Sequence, residues 1–174
     1  MYNQEPWQII WWNRMRTAQR KPVIQTKLKN IISGKVIEYS FKFGEKVEEA
    51  NVTREKASSL YTDSEGTHFM NRETFETIDM PKKVMQDQEP FLKEGTEVQI
   101  VRFNGRPVSV ELPIKVDLKV IEAPPDVKGN SGGNITKPVK VETGLMVNAP
   151  MFIKEGDMLR IDTRSGEYVE RATS

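Results

Sequence analysis

Apolar and polar positions alternate with a period of two along much of this chain, the pattern of strands with one buried face. Val23-Ile24-Gln25-Thr26-Lys27-Leu28-Lys29 ends in such alternation. Ser33-Gly34 then supplies a turn, and Lys35 to Phe41 runs back, which predicts a hairpin. Phe43-Gly44-Glu45-Lys46 breaks the pattern and Glu48-Glu49-Ala50-Asn51 is polar, so a domain boundary is expected there. Ser58 to Thr62, Thr67 to Met70 and Phe75 to Ile78 read as further strands, with a turn at Asp63-Ser64-Glu65-Gly66. The polar stretch from Lys82 to Glu94 has room for one short helix. Val98 to Phe103, Asn104-Gly105 and Arg106 to Val110 give the clearest local signal. An Asn-Gly pair between two alternating runs marks a type I′ hairpin, because both central residues need positive φ.

Pro113 closes that unit. Val116 to Val120, Lys137 to Val141, Leu145 to Ile153, Met158 to Asp162 and Glu167 to Glu170 predict a third set of strands, interrupted by a long loop through Pro124-Pro125 and Gly129-Asn130-Ser131-Gly132-Gly133. The expected architecture is all-β, with three small barrels over residues 1–49, 50–113 and 114–174. Units of this size bury only about 60% of their unfolded surface and must lean on one another. Modules joined end to end more often bind than catalyse.

Composition narrows the function. There is no cysteine, hence no disulfide framework, thiolate metal site or cysteine nucleophile. His68 is the one histidine, which argues against histidine-based catalysis and multi-histidine metal sites, and its strand position gives it a structural or surface role. No phosphate-binding glycine loop or nucleophile elbow is present, and no cofactor is expected. The acidic pair Glu48-Glu49 reads as a solvated turn. No apolar run approaches the ~20 residues of a membrane helix. The N-terminus lacks a basic region and a small-residue cleavage site. A cytoplasmic protein with no membrane partner is expected, and the sequons at Asn51 and Asn134 are chance matches.

Net charge is +1, which by itself says nothing about partners. Its distribution does. Residues 1–40 carry seven basic and two acidic side chains, a net of +5, leaving −4 for the remainder. Arg14, Arg16, Arg20 and Lys21 crowd a loop between two strand-like segments, and Lys27 and Lys29 follow on the second. Cations so placed repel one another, which is tolerable if phosphate is the partner. On spacing alone, an Arg- and Lys-rich tip or a solvated strand face with no partner is the equal alternative. Trp7, Trp11 and Trp12 lie beside them, either as stacking platforms for nucleotides or as core of the first unit.

Longer motifs carry a resemblance. Ile161-Asp162-Thr163-Arg164-Ser165-Gly166-Glu167-Tyr168-Val169-Glu170-Arg171 resembles the C-terminal signature of bacterial elongation factor P. Phe69-Met70-Asn71-Arg72-Glu73-Thr74-Phe75, Asn104-Gly105 with Val110-Glu111-Leu112-Pro113, and Pro150-Met151-Phe152-Ile153 fit the same family, and the likeness runs along nearly the whole chain. It implies an N-terminal KOW/SH3-like barrel followed by two OB-folds in an L-shaped array. It implies a monomeric, non-enzymatic factor that binds the 70S ribosome between the P and E sites, touches rRNA and prolyl peptidyl-tRNA, and speeds peptide-bond formation at polyproline stalls. A loop-tip modifying enzyme is a further implied partner. A generic OB-fold binder of single-stranded nucleic acid is the alternative, and the acidic balance after residue 40 argues against it.

The family's functional residue sits at the tip of the first hairpin loop, within a Pro-Gly-Lys-Gly type of sequence. Counting back without gaps from Thr26-Lys27-Leu28 puts Gln19 there, a one-residue shift puts Arg20, and a two-residue shift puts Lys21. Neither Gly nor Pro flanks Gln19, so the usual lysine modification is in question. Arg14, Arg16, Lys27 and Lys29 are the implied RNA contacts nearby, and Tyr168 and Arg171 match the C-terminal motif expected near the small subunit. Two other departures stand out. The family's first strand, ahead of Glu5-Pro6-Trp7, is expected to be missing, and Gly129-Asn130-Ser131 replaces a favoured Gly-Asp-Thr.

Overall fold

The computed structural model describes residues 1–15, 23–125 and 136–172. They form thirteen strands in three antiparallel sheets, with one helical turn and one 3₁₀ turn. The first sheet is β1 (Trp7–Met15), β2 (Val23–Asn30) and β3 (Val36–Lys42), in that order. The second holds β4 (Val52–Thr62), β5 (Gly66–Asn71), β6 (Thr77–Pro81), β7 (Glu97–Phe103) and β8 (Arg106–Glu111), in the order β6-β5-β4-β7-β8. The third holds β9 (Lys115–Glu122), β10 (Thr136–Val141), β11 (Met146–Pro150), β12 (Met158–Asp162) and β13 (Tyr168–Ala172), in the order β11-β10-β9-β12-β13. Both five-stranded sheets thus follow one plan, third-second-first-fourth-fifth, although no sequence repeat announces it. The all-β expectation holds.

Most strand readings hold as well, with local differences that have physical causes. At the Asn104-Gly105 turn both residues have positive φ, +50° and +80°, as a type I′ hairpin requires. The strand expected from Phe75 starts only at Thr77, because Phe75 has a φ of +59° and an exposed side chain. The expected strand from Leu145 to Ile153 ends at Pro150, after which the chain turns and Ile153 drops into the core. β4 begins at Val52, well ahead of Ser58. Arg14 lies on β1, opposite Ile24, rather than in the loop.

The described residues group into two compact units, Met1–Glu55 with Ile100–Ser109, and Lys56–Gln99 with Val110–Ser174. In the first sheet Leu28 is the only buried apolar residue. Polar anchors compensate for the missing core. The Thr26 hydroxyl donates to the Tyr39 carbonyl at 2.8 Å. Asn30 donates to the Glu5 carboxylate at 2.7 Å and accepts from the backbone N–H groups of Ile32 and Ser33, which fixes the β2–β3 turn. Tyr2, Trp7, Tyr39 and Phe41 form a chain of aromatic contacts, with centroids 4.7–6.0 Å apart.

The second unit has the larger core. Val116, Leu118, Val120, Val139, Val141, Leu159 and Ile161 alternate inward along β9, β10 and β12. Phe91, from the 3₁₀ turn Glu89–Phe91 that follows β6 in the chain, is 8% exposed and belongs to this same cluster. Burying such a ring contributes about 2–3 kcal/mol. Around it the Thr143 hydroxyl donates to the Pro90 carbonyl at 2.6 Å, and the Lys93 ammonium donates to the Asp117 carbonyl at 2.7 Å. Arg160 on β12 grips the Asp117 carboxylate on β9 with two bonds of 2.8 and 2.9 Å and reaches Glu170 on β13 at 2.8 Å. Hydrogen bonding from Arg160 holds the Asp117 carboxyl below its ordinary range.

On β5, His68 sits between two carboxylates. Its Nδ1 is 2.7 Å from Asp79 and its Nε2 is 3.0 Å from Asp63, while its ring stacks on Tyr61 at 4.4 Å. A neutral imidazole has one N–H and satisfies only one acceptor, so both contacts favour the imidazolium. Bonding to Asp79 first, then to Asp63, raises the His68 pKa above its ordinary 6.5. The native state therefore binds the proton more tightly than the unfolded chain does. Its stabilisation is complete below about pH 6.5 and fades as pH rises through the native value. Urea unfolding of wild type and His68→Gln should show the widest gap in midpoint near pH 5.5 and a narrowing gap above neutrality.

Candidate functional site

The sequence-derived site falls on two places in the fold. Gln19, Arg20, Lys21 and Arg16 lie outside the described residues. The hairpin that carries them is described on both sides, as β1 up to Met15 and β2 from Val23. Their register is antiparallel, with Trp12 opposite Thr26, Asn13 opposite Gln25 and Arg14 opposite Ile24. Side chains alternate between faces, so Arg14 lies on one face, with Thr26 and Leu28, and Lys27 and Lys29 lie on the other. All three are exposed. Lys27 pairs loosely with Glu38 on β3, at 3.6 Å. Such an exposed pair is worth little in water and leaves the ammonium available to a stronger anion.

Tyr168 and Arg171 stand together on β13. Tyr168 is half-buried, and its ring packs against the core around Leu159 and Ile161. It also lines an open groove of about 980 Å³ with Met146, Asn148, Phe152 and Glu167. Its role is therefore partly structural. Arg171 is 57% exposed in its side chain and lies 3.8 Å from Asp157, a distance that leaves its hydrogen-bonding edge free. In the neighbouring turn Arg164 grips Asp162 through two bonds, of 3.0 and 2.6 Å, which depresses the Asp162 carboxyl strongly. That turn is thereby locked where β13 begins.

Nothing among the described residues assembles a catalytic set or a cluster of three metal-ligating side chains. No helix among them is long and apolar enough to cross a membrane. The described residues present exposed cations on strands and many exposed aromatic and apolar side chains. Sequence reasoning missed the groove beside Tyr168. Phe152 and Met146 are each 57% exposed there, and their placement in apolar runs gave no sign of it.

Comparison with known proteins decides the family. Residues 1–47 match the elongation factor P KOW-like domain, residues 52–110 the elongation factor P OB domain, and residues 116–171 the elongation factor P C-terminal domain. The chain belongs to the elongation factor P family. Elongation factor P of Thermosipho africanus is 42% identical over 171 residues, covering 98% of this chain and 92% of that protein. Elongation factor P of Aquifex aeolicus is 37% identical over 167 residues, covering 96% and 87%. That of Symbiobacterium thermophilum is 42% identical over 166 residues, covering 95% and 90%. The KOW-like and OB assignments agree with a first sheet of three strands and later sheets that share one five-strand order.

For this elongation factor P family member the dual position of Tyr168 has a measurable consequence. Its hydroxyl makes no hydrogen bond among the described residues, whereas its ring packs on the core. Tyr168→Phe should leave the urea midpoint unchanged. Tyr168→Ala should lower stability by roughly 2 kcal/mol through lost ring packing.

Proposed function

We propose that the chain acts on the ribosome as its family name suggests. It binds between the P and E sites beside a prolyl peptidyl-tRNA and accelerates peptide-bond formation where consecutive prolines stall. Support comes above all from the family match along the whole chain. The excess of cations on and around the first hairpin adds a physical reason, because tRNA and rRNA present phosphates there. Residues 1–49, 50–113 and 114–174 serve as three modules, working as a cytoplasmic monomer.

The proposed action is positional. Proline has a locked φ and a constrained nitrogen, so it reacts from few geometries. Holding the end of the prolyl-tRNA in one of them supplies the ordering that the stalled complex lacks, without covalent chemistry by the factor. Gln19, Arg20 or Lys21 approaches the reacting end. Arg14, Arg16, Lys27 and Lys29 hold RNA backbone near it, and Tyr168 and Arg171 contact the small subunit.

Translation of a triple-proline reporter in a factor-depleted extract tests this reading. Added protein should relieve the proline-dependent pause and leave a proline-free reporter unchanged. Absence of relief overturns the proposal. Single Ala variants at Gln19, Arg20 and Lys21 should include one that loses most of the relief. Intact mass of the natively expressed protein reports whether a tip residue is modified.

A further inference from the structure

The first sheet has two unlike faces. One carries Trp7, Ile9, Trp12, Thr26, Leu28 and Phe41, and includes the buried positions of the sheet. The other is mainly polar and basic, with Gln25, Lys27 and Lys29 on β2 and Glu38, Ser40 and Lys42 on β3, and it carries Met15, Val23 and Val36 towards its margins. Trp11 is on this second face, opposite Lys27.

A β-bulge puts it there. Ile9 pairs with Leu28, but the next partner of Lys27 is Trp11, so Ile10 is an extra residue in the ladder. An unbulged ladder would set Trp11 opposite Thr26, on the face with the buried side chains. Bulges of this kind re-aim side chains, and they collect at functional positions. The result is an indole, 46% exposed, without an aromatic partner among the described residues. It forms one wall of a shallow hollow of about 450 Å³ with Gln25, Lys27, Glu38 and Ser40.

We infer that Trp11 is a stacking platform for an unpaired RNA base, with Lys27 beside it to meet the adjoining phosphate. The chemistry fits single-stranded nucleic acid, which is bound by an aromatic surface for the base and cations that track the backbone. Gln25 offers amide groups to a base edge. The loose bond from Lys27 to Glu38 is exchanged for a phosphate contact. Gln25, Lys27, Glu38 and Ser40, the neighbours of Trp11 around the hollow, are polar or charged, which favours a nucleic-acid base over an apolar peptide. The inference rests on the ribosomal reading above and adds a base-contacting residue to it.

The test is sedimentation of the full chain with 70S ribosomes carrying a P-site prolyl peptidyl-tRNA, across a salt series. The variants are Trp11→Phe, Trp11→Leu and Lys27→Ala, and thermal melts confirm that each is folded. Phe keeps an aromatic face, whereas Leu keeps apolar bulk without one. Wild type and Trp11→Phe should bind within about threefold of each other, and Trp11→Leu should bind roughly tenfold more weakly. Lys27→Ala should weaken binding and reduce the salt slope by about one. If wild type binds and Trp11→Leu binds equally well, the stacking inference is overturned while the ribosomal reading stands. If wild type itself fails to bind, the ribosomal reading fails and takes the inference with it.

Discussion

Domains of about sixty residues bury only about 60% of their unfolded surface and are marginally stable, and this chain is built around that shortage. The seat of Phe91 is the clearest response. A ring from the turn after β6 completes the core formed by β9 to β12, and Thr143 and Lys93 fasten the chain on either side of it. Phe91 and this core both belong to the second unit, Lys56–Gln99 with Val110–Ser174. The Asp117–Arg160–Glu170 link then ties β9, β12 and β13 across the same sheet.

The first sheet meets the shortage differently. With Leu28 as its one buried apolar residue, it relies on Asn30, Thr26 and a line of aromatic rings. Large apolar side chains remain exposed on it, among them Trp11 and Trp12. An economical core leaves large side chains at the surface, and the cations of the same segment suit an anionic partner. The proposed role rests above all on the family match, and these two features agree with it.

Legibility in the sequence followed the range of the interactions. The Asn104-Gly105 hairpin and β9 can be read because local chemistry decides them: positive φ at two residues, and a clean five-residue alternation from Val116 to Val120. The common order of the second and third sheets cannot, since strand order is set by pairing between distant segments. The Phe91 seat was hidden for a similar reason. It lies in a polar stretch that suggested a short helix, and nothing nearby says which core the ring enters. The strand position of His68 predicts a structural or surface role. Its two carboxylate partners, five and eleven residues away, follow only from the register of β5 with β6 and the turn before it. The direction of Trp11 was also out of reach, because Ile9 to Trp12 is a continuous apolar run in which a bulge leaves no trace. The family motifs reached further than pattern, and they carried the basic loop, Tyr168 and Arg171 into the candidate site.

In the role proposed above, the factor accelerates proline incorporation by positioning, without donating or accepting a proton. The rate of a single Pro–Pro bond on purified ribosomes, measured against pH with and without the protein, tests this most directly. The account predicts a higher rate at every pH and a profile of unchanged shape. A new inflection that appears only with the protein, and moves when Gln19, Arg20 or Lys21 is replaced, would contradict it.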